Sequence, residues 1–447
     1  MNQGNLFKKL ARMLNQLETS KGSKSKSQLL HKFVDDPDFV WMAKLALDQG
    51  HSFGVEEIPD FTEGGSGSSE ELVTAIEFFK TNKGVTDKDL AALHRLMCQS
   101  PDHYLVTSRI LRKDLRCGIQ AKTINKVRPG LIFRVPYQRC SSGPEALAKI
   151  TFPARLERKA NGMFAYMFTD GTFMTRNGQR FTIPGNPVSA RIESPDMASN
   201  LVLIGELVFV DENEKPLPRA ISNGFINSFI KGEGADVDVS RLRAFVWNMI
   251  TPAAFSLGAD TTSTATNFAA LCTVFHGADP IKPIEHWIVN SLAEAQAKTN
   301  ELIAAGEEGA VLKSLSEYFV WEDHSASPYQ VKMKAEAEAE FVIVDWYYGD
   351  QGKKYESMLG GIVVRSADHL IVSEVGSGFS DKQRAAVDSW RLNVGQVCTI
   401  KFNGVTEKAG SDVRALDHPR FVEMRKDKDE ADTLEYCLNE LKGGLKG

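Results

Sequence analysis

The sequence predicts a multidomain protein. An all-α N-terminal region spans 1–132, an α+β region with antiparallel sheets spans 133–337, and a small β-structure spans 338–447. Three observations carry this division. The chain has 447 residues, more than one typical domain holds. Apolar residues recur at helical spacing through the first part. From about Pro136 onward, short apolar runs alternate with turns containing Gly and Asn.

In the N-terminal part, TDKD at 86–89 has the form of a capping box, followed by Leu90, Leu93 and Met97 at helical spacing. Gly84 and Gly118 are expected helix stops. The stretch EGGSGSS at 63–69 is an expected flexible loop between helices. In the middle, GMFAYMF, TRNGQRFTIPG and NLVLIGELVFV read as strands and turns. A more helical interval at 284–306 interrupts them before EEGAVLKS and YQVKMK. After Glu340 come EFVIVDWYYG, GGIVVRS, HLIVSEVG and QVCTIKFNG, short strands that suit a small barrel or sandwich, an OB-fold among the options. KAEAEAEF is ambiguous: Ala and Glu favour helix, whereas strict alternation favours strand.

Composition describes an ordinary globular protein, with 42% hydrophobic and 25% charged residues. The net charge of -5 does not point to nucleic acid, although an average can hide a local basic surface. Six scattered cysteines form no C-x-x-C unit, which argues against a zinc module or a disulfide scaffold and for free thiols. The N-terminus MNQGNLFKKLARML lacks a signal-peptide core, and no apolar run is long enough to span a bilayer. A soluble intracellular protein with no membrane partner is expected.

The candidate chemistry starts at Lys159, in LERKANG. A lysine that attacks phosphorus must be neutral, and the free side chain has a pKa of ~10.4, which burial and nearby positive charge depress. Gly162 would let backbone pass close to a ligand. Alone, K-x-x-G occurs everywhere by chance, and a surface lysine beside a turn glycine is the better reading. Arg176 lies on a predicted turn and could clamp a phosphate, and Glu206 sits inside an apolar strand, where an unpaired carboxylate is costly. Glu308 and Lys313 bracket another apolar run. Lys332 and Lys334 project to one face of a strand.

Seven segments stand in order: KANG at Lys159, TRNG at Arg176, IGELVF at Glu206, FVWN at Trp247, EGAVLK at Glu308, VKMK at Lys332 and PRFVEMRKDK at 419–428. Together they resemble the covalent nucleotidyltransferase superfamily, which includes DNA ligases, RNA ligases and mRNA capping enzymes. The resemblance implies an adenylation domain over 133–337 and a C-terminal OB-fold β-barrel. It implies Lys159 as the nucleophile that becomes lysyl-AMP, with ATP and Mg²⁺ as cofactors. Glu157 would contact adenine, Trp247 would stack on the base, and Arg176 would hold a phosphate. Glu206 and Glu308 would serve ribose and metal. Gly162 and Lys313 would belong to the nucleotide pocket, and Lys332 and Lys334 would neutralise phosphate charge. Arg420, Arg425, Asp427 and Lys428 would orient the pyrophosphate. Two positions depart from the family: Asn161 replaces a usual Asp and Phe164 replaces a frequent Arg.

The N-terminal region narrows the reading. Arg109, Arg112, Lys113 and Arg116 follow i, i+3, i+4, i+7, the spacing of one helix face, and Lys122 and Lys126 continue the basic character. Such a stripe is either a solvated face or a grip on a duplex backbone. The stretch RILRKDLRCG is similar to a segment in the helical DNA-binding domain of ATP-dependent DNA ligases, and NGFINSFIKG resembles bacteriophage members. The resemblance implies a DNA ligase sealing nicks in duplex DNA, as a monomer encircling its substrate, in the cytoplasm of a bacterial or phage-infected cell. Ligation of RNA or RNA/DNA hybrids, or nick binding without catalysis, are the alternatives.

Overall fold

Leu6, Phe7, Leu10, Ala11, Leu14 and Leu17 fall three or four residues apart, and that stripe is the buried face of the first helix, α1 (Leu6–Thr19). The computed structural model describes residues 6–55, 57–81, 85–194, 200–234, 236–277, 279–320, 326–351, 353–408 and 411–442. Contacts divide the chain into two compact units. One comprises Met1–Gln138, Asn161–Pro283 and Tyr318–Ser325; the other comprises Arg139–Ala160, Ile284–Glu317 and Ala326–Gly447. The expected central region is shared between them, because its two sheets use strands interleaved along the chain.

In the first unit, α1 is followed by α2 (Ser23–Phe33), α3 (Pro37–Leu47), α4 (Ser69–Thr81), α5 (Asp87–Met97), α6 (Pro101–Leu111) and α7 (Ala121–Val127). Asp36 caps α3, with Pro37 at its first position. Thr86 and Asp89 form the expected capping box of α5, which buries Leu93 and Met97. These helices share one apolar core, in which each fully buried Leu or Phe contributes about 1.5–3 kcal/mol. Gly84 lies outside the described residues. Gly118 does not end a helix: α6 already stops at Leu111, and Gly118 sits in the following loop with φ 69°.

The same unit holds a six-stranded sheet ordered Arg180–Phe181, Phe173–Met174, Met163–Phe168, Val202–Phe209, Leu242–Ile250, Ile281–Pro283. TRNG forms its first hairpin turn, with the Thr175 N–H donating to the Gln179 carbonyl. NGFINSFIKG lies in the helix Arg219–Lys231, ended by left-handed Gly232.

The second unit carries a five-stranded sheet ordered Arg139–Ser141, Ala326–Lys334, Gly309–Ser314, Ala154–Arg158, His286–Val289, with the helix Leu292–Ala304 against it. The helical interval expected at 284–306 is therefore shorter, and a strand precedes it. A second five-stranded sheet follows: Val372–Val375, Leu359–Arg365, Ala337–Tyr348, Val397–Phe402, Arg420–Met424. KAEAEAEF resolves as strand, since Ala337 and Ala339 enter the core while Glu338 stays outside. The expected closed barrel is corrected. The edge strands meet at a single bridge, Ser377 to Arg420, and no ladder closes the sheet among the described residues. Gly404–Lys408 and Ser411–Asp417 pair with each other as a separate ribbon.

All six cysteines are free thiols. Among the described residues, no helix is long and apolar enough to cross a membrane.

Candidate active site

Period-two alternation gives the first sheet of the second unit two different faces. Ala154, Leu156, Ala310, Leu312, Val331 and Met333 pack with Ala295 and Leu302 of the helix. Register places Glu157 opposite Val311, Arg155 opposite Lys313, Lys313 opposite Gln330 and Val311 opposite Lys332. Arg155, Glu157, Lys313, Lys332 and Lys334 therefore share the other face.

Lys159 extends this ladder, its N–H donating to the Gly309 carbonyl at 3.0 Å. Its Nζ donates to Glu308 Oε2 at 2.6 Å, and Lys334 Nζ takes Glu308 Oε1. One carboxylate thus bridges two motif lysines that lie far apart in sequence. Burial would push the Glu308 carboxyl up, but attraction and hydrogen bonds from Lys159 and then Lys334 outweigh it and hold the group below its ordinary range. Glu308 is ionised at neutral pH. Gly309, at φ 124°, must be glycine: a Cβ would stand 2.2 Å from the Met333 carbonyl oxygen. Lys332 shares the face of Lys334 but is exposed. Arg158, unassigned from sequence, pairs with Glu307 at 3.0 Å beside this cluster.

Glu157 is buried. Arg155 Nε and Nη2 both lie 2.8 Å from its Oε1, and Lys313 Nζ lies 2.6 Å from its Oε2. Lys313 is thereby held against a carboxylate. Arg155 was missed in the sequence, although R-x-E within an apolar strand was a readable signal. Glu317 accepts from Ser327 Oγ at 2.8 Å, and burial raises its carboxyl from the usual 4.5 to about 7. Folded protein therefore binds this proton more tightly than unfolded chain. The resulting stability is complete below 4.5 and is lost as pH rises through 7, up to about 3 kcal/mol. Glu317→Gln should match the parent's melting temperature near pH 4.5 and exceed it at pH 8; parallel curves for the two proteins would refute the assignment.

The C-terminal motif residues are engaged within their own unit. Arg420 Nη2 donates to Glu336 Oε1 at 3.0 Å and to Asn403 Oδ1 at 3.2 Å. Arg425 makes a fork with Asp427 at 3.0 and 2.7 Å and also donates to Glu340, which Lys428 approaches at 3.1 Å.

In the first unit, the Gly162 N–H donates to Glu206 Oε2 at 2.6 Å. Gly162 is required by its approach to a strand: a Cβ would meet Val208 at 2.5 Å and the Leu207 carbonyl oxygen at 2.6 Å. Phe164 stands opposite Glu206, and its ring lies 4.9 Å from Tyr137, 5.0 Å from Tyr166 and 6.0 Å from Trp247. The family's frequent arginine is thus replaced by an aromatic cluster, and Trp247 is half-buried within it. Arg176 is exposed on its hairpin turn. Among the described residues, no group of three or more His, Cys, Asp or Glu could hold a metal by itself.

The basic segment is corrected as a single helix face. Lys113 and Arg116 are left-handed, at φ 54° and 49°, so the chain leaves the helix after Leu111. Arg109 is buried, donating to the Leu115 carbonyl at 2.9 Å and to Glu18 at 2.6 Å. Lys113 Nζ turns inward to the carbonyls of Leu45 (3.0 Å) and Asp48 (2.7 Å), which ends α3, and burial lowers its pKa to about 8. Arg112, Arg116, Lys122 and Lys126 remain exposed.

Comparisons with known proteins find likenesses to DNA ligases. The family described as DNA ligase OB-like domain matches residues 351–425. The DNA ligases of Enterobacteria phages T4 and T6 are each 25% identical, over 97% of this chain and 99% of theirs. A solved structure described as "Pmar-Lig_Pre." superposes with a TM-score of 0.77 at 20% identity, covering 94% of this chain and 99% of that one. A second, from work on Lig E DNA ligases, gives 0.50 at 18% identity over 64% of this chain and 98% of that one. The likeness to the phage enzymes runs from end to end of the chain, and the DNA ligase OB-like match falls within its C-terminal part.

Proposed function

We propose that this protein is an ATP-dependent DNA ligase that seals nicks bearing a 5′-phosphate and a 3′-hydroxyl in duplex DNA. The observation that carries the reading is the convergence of Lys159, Glu308 and Lys334 on one sheet face, with Glu157 buried two residues before the nucleophile. Lys159 Nζ, relieved of its proton, attacks the α-phosphorus of ATP; a P–N bond forms and pyrophosphate leaves. The AMP then passes to the 5′-phosphate of the nick. Attack by the 3′-hydroxyl closes the backbone and releases AMP. In each transfer, positioning and charge neutralisation dominate, and Lys334 and Lys332 supply positive charge where phosphate oxygens gather.

The residues fit Mg²⁺. Glu308 is ionised, and Mg²⁺ characteristically takes one or two carboxylates and completes its shell with water and substrate phosphates. Glu308 would hold it, and when bound it would withdraw charge from the phosphate oxygens. Arg176 would hold a phosphate, Trp247 would line the base, and Arg420, Arg425, Asp427 and Lys428 would orient pyrophosphate. The functional division is a DNA-binding domain over 1–132, an adenylation domain over 133–337 and an OB-fold domain over 338–447, a monomer that encircles duplex DNA in the cytoplasm of a bacterial or infected cell.

Incubation with α-labelled ATP should give an acid-labile protein adduct, absent with NAD, that disappears on addition of nicked DNA. No adduct with either nucleotide would leave a nick-binding protein; equal discharge onto nicked RNA would point to the hybrid or RNA substrate.

The duplex grip is assigned to Arg112, Arg116, Lys122 and Lys126, with Arg109 and Lys113 supporting the loop between them. Arg112→Ala combined with Lys122→Ala should weaken DNA binding at every sequence and reduce the salt slope by about 2, roughly one per lost phosphate contact. An unchanged slope would return these residues to a solvated surface.

A further inference from the structure

The segment KAEAEAEF places Glu336, Glu338 and Glu340 on the side of their strand opposite Ala337 and Ala339, which enter the core. All three carboxylates meet cations. Glu336 takes Arg420 at 3.0 Å and Lys401 at 2.9 Å, and Glu338 lies 3.5 Å from Lys401. Glu340 takes Arg425 and Lys428, the latter at 3.1 Å.

Surroundings separate these pairs. Those of Glu336 and Glu338 are a third to a half exposed on both sides, where ion pairs contribute little. The Glu340 side chain is 9% exposed, and both of its cations converge on one oxygen, Oε1. Asp432 fixes this carboxylate from its own backbone side. The Asp432 N–H donates to the Glu340 carbonyl at 2.8 Å, and the Glu340 N–H donates to Asp432 Oδ2 at 2.7 Å. Burial would push the Glu340 carboxyl up, but a hydrogen bond with the Asp432 side chain and the charges of Lys428 and Arg425 hold it below its ordinary range. Burial and the adjoining Glu340 raise Asp432 in turn, so the anion of the two is Glu340.

Two cations brought to one point repel each other, and long flexible side chains gain entropy by moving apart. A fixed anion beneath them offsets both tendencies. Arg425 and Lys428 are thereby side by side before any phosphate arrives, with Asp427 forking the other edge of the guanidinium. Pyrophosphate, with several negative oxygens, is matched by such an adjacent pair.

We propose that Glu340, which lies outside the seven motifs, is a positioning residue for the first transfer, holding Arg425 and Lys428 together for the pyrophosphate group. The inference rests on the ligase reading above. Pyrophosphate takes part only in that transfer and its reversal, so the effect of Glu340 is confined to them.

The test uses the full-length protein carrying lysyl-AMP. Inorganic pyrophosphate reverses the first transfer: its oxygen attacks the phosphorus, the P–N bond breaks, ATP forms, and Lys159 leaves with the electron pair and takes up a proton. In Glu340→Gln the pyrophosphate concentration giving half-maximal discharge should rise about tenfold, the order set by loss of a charge-assisted contact. Sealing of pre-adenylated nicked DNA by the same variant should stay within about twofold of the parent, which also shows that it is folded. Glu338→Gln, whose partner is Lys401, should match the parent in both assays. Parent-like discharge by Glu340→Gln would overturn the proposal. So would an equal loss of sealing, the mark of a structural role, or an equal shift in Glu338→Gln, the mark of a general charge effect. A parent protein that forms no lysyl-AMP would overturn the ligase reading and this inference with it.

Discussion

Replacing Lys159 with alanine should abolish the protein–AMP adduct, with a fall in its rate of at least about 10⁴-fold, the order seen when a covalent nucleophile is deleted. The side chain is placed by interactions at both ends. Its backbone N–H continues the ladder to Gly309, and its Nζ is held by Glu308. The neighbouring cations are already engaged, Lys334 by the other oxygen of Glu308 and Arg158 by Glu307. A guanidinium also stays protonated and cannot attack. The same variant supplied with pre-adenylated nicked DNA should retain more activity than with ATP, because closing the nick does not require the lysine nucleophile. Mass spectrometry of the protein after incubation with ATP is the direct measurement. A normal adduct on Lys159→Ala would assign the nucleophile elsewhere.

Glu308→Gln should lower adduct formation by about 10²–10³-fold while leaving nicked-DNA binding near the parent level. The carboxylate bridges Lys159 and Lys334, and it is ionised because two lysines outweigh the cost of its burial. A neutral amide keeps the shape but removes the charge that holds two ammonium groups together. Lys159 is then free to wander, and displacements near 1 Å at a reacting centre can cost about 10²-fold. With Glu308 as the proposed Mg²⁺ ligand, loss of an anionic oxygen donor would also raise the Mg²⁺ concentration that gives half-maximal rate. Single-turnover rates at several Mg²⁺ concentrations separate the two effects. A variant with the parent's rate and metal dependence would remove Glu308 from the site.

Some elements were legible because their determinants are local. The capping box at Thr86 needs only four residues, and the stripe of α1 needs only its own periodicity. The alternation in VKMK sufficed to place Lys332 and Lys334 on one face. The same rule decides KAEAEAEF, where alternation overrode helix propensity because burying Ala337 and Ala339 in a sheet core outweighs a weak intrinsic preference. The failures are equally physical. Spacing of i, i+3, i+4, i+7 placed four basic residues on one helix face, but that rule holds only while φ stays negative. Positive φ at Lys113 and Arg116 breaks the helix and sends Lys113 inward. The expected barrel did not close, because strand count alone does not determine whether edge strands form a ladder.

The sequence by itself determined the order of the seven motifs, the lysine that could act as a nucleophile and the strands that carry most of its companions. These depend on residue identity and on spacings of two to seven positions, and they survive without knowledge of the fold. Only the tertiary structure decided which charges meet. Lys159 and Glu308 are 149 residues apart, and nothing in either segment specifies that one carboxylate serves both Lys159 and Lys334. Nor could the sequence say that Arg155 and Lys313 enclose Glu157, or that Arg109 and Lys113 point inward while Arg112 and Arg116 face solvent. The reason is the short range of the interactions concerned. An ion pair or hydrogen bond is won or lost within a few ångströms, and strand register and the sign of a single φ angle settle distances on that scale.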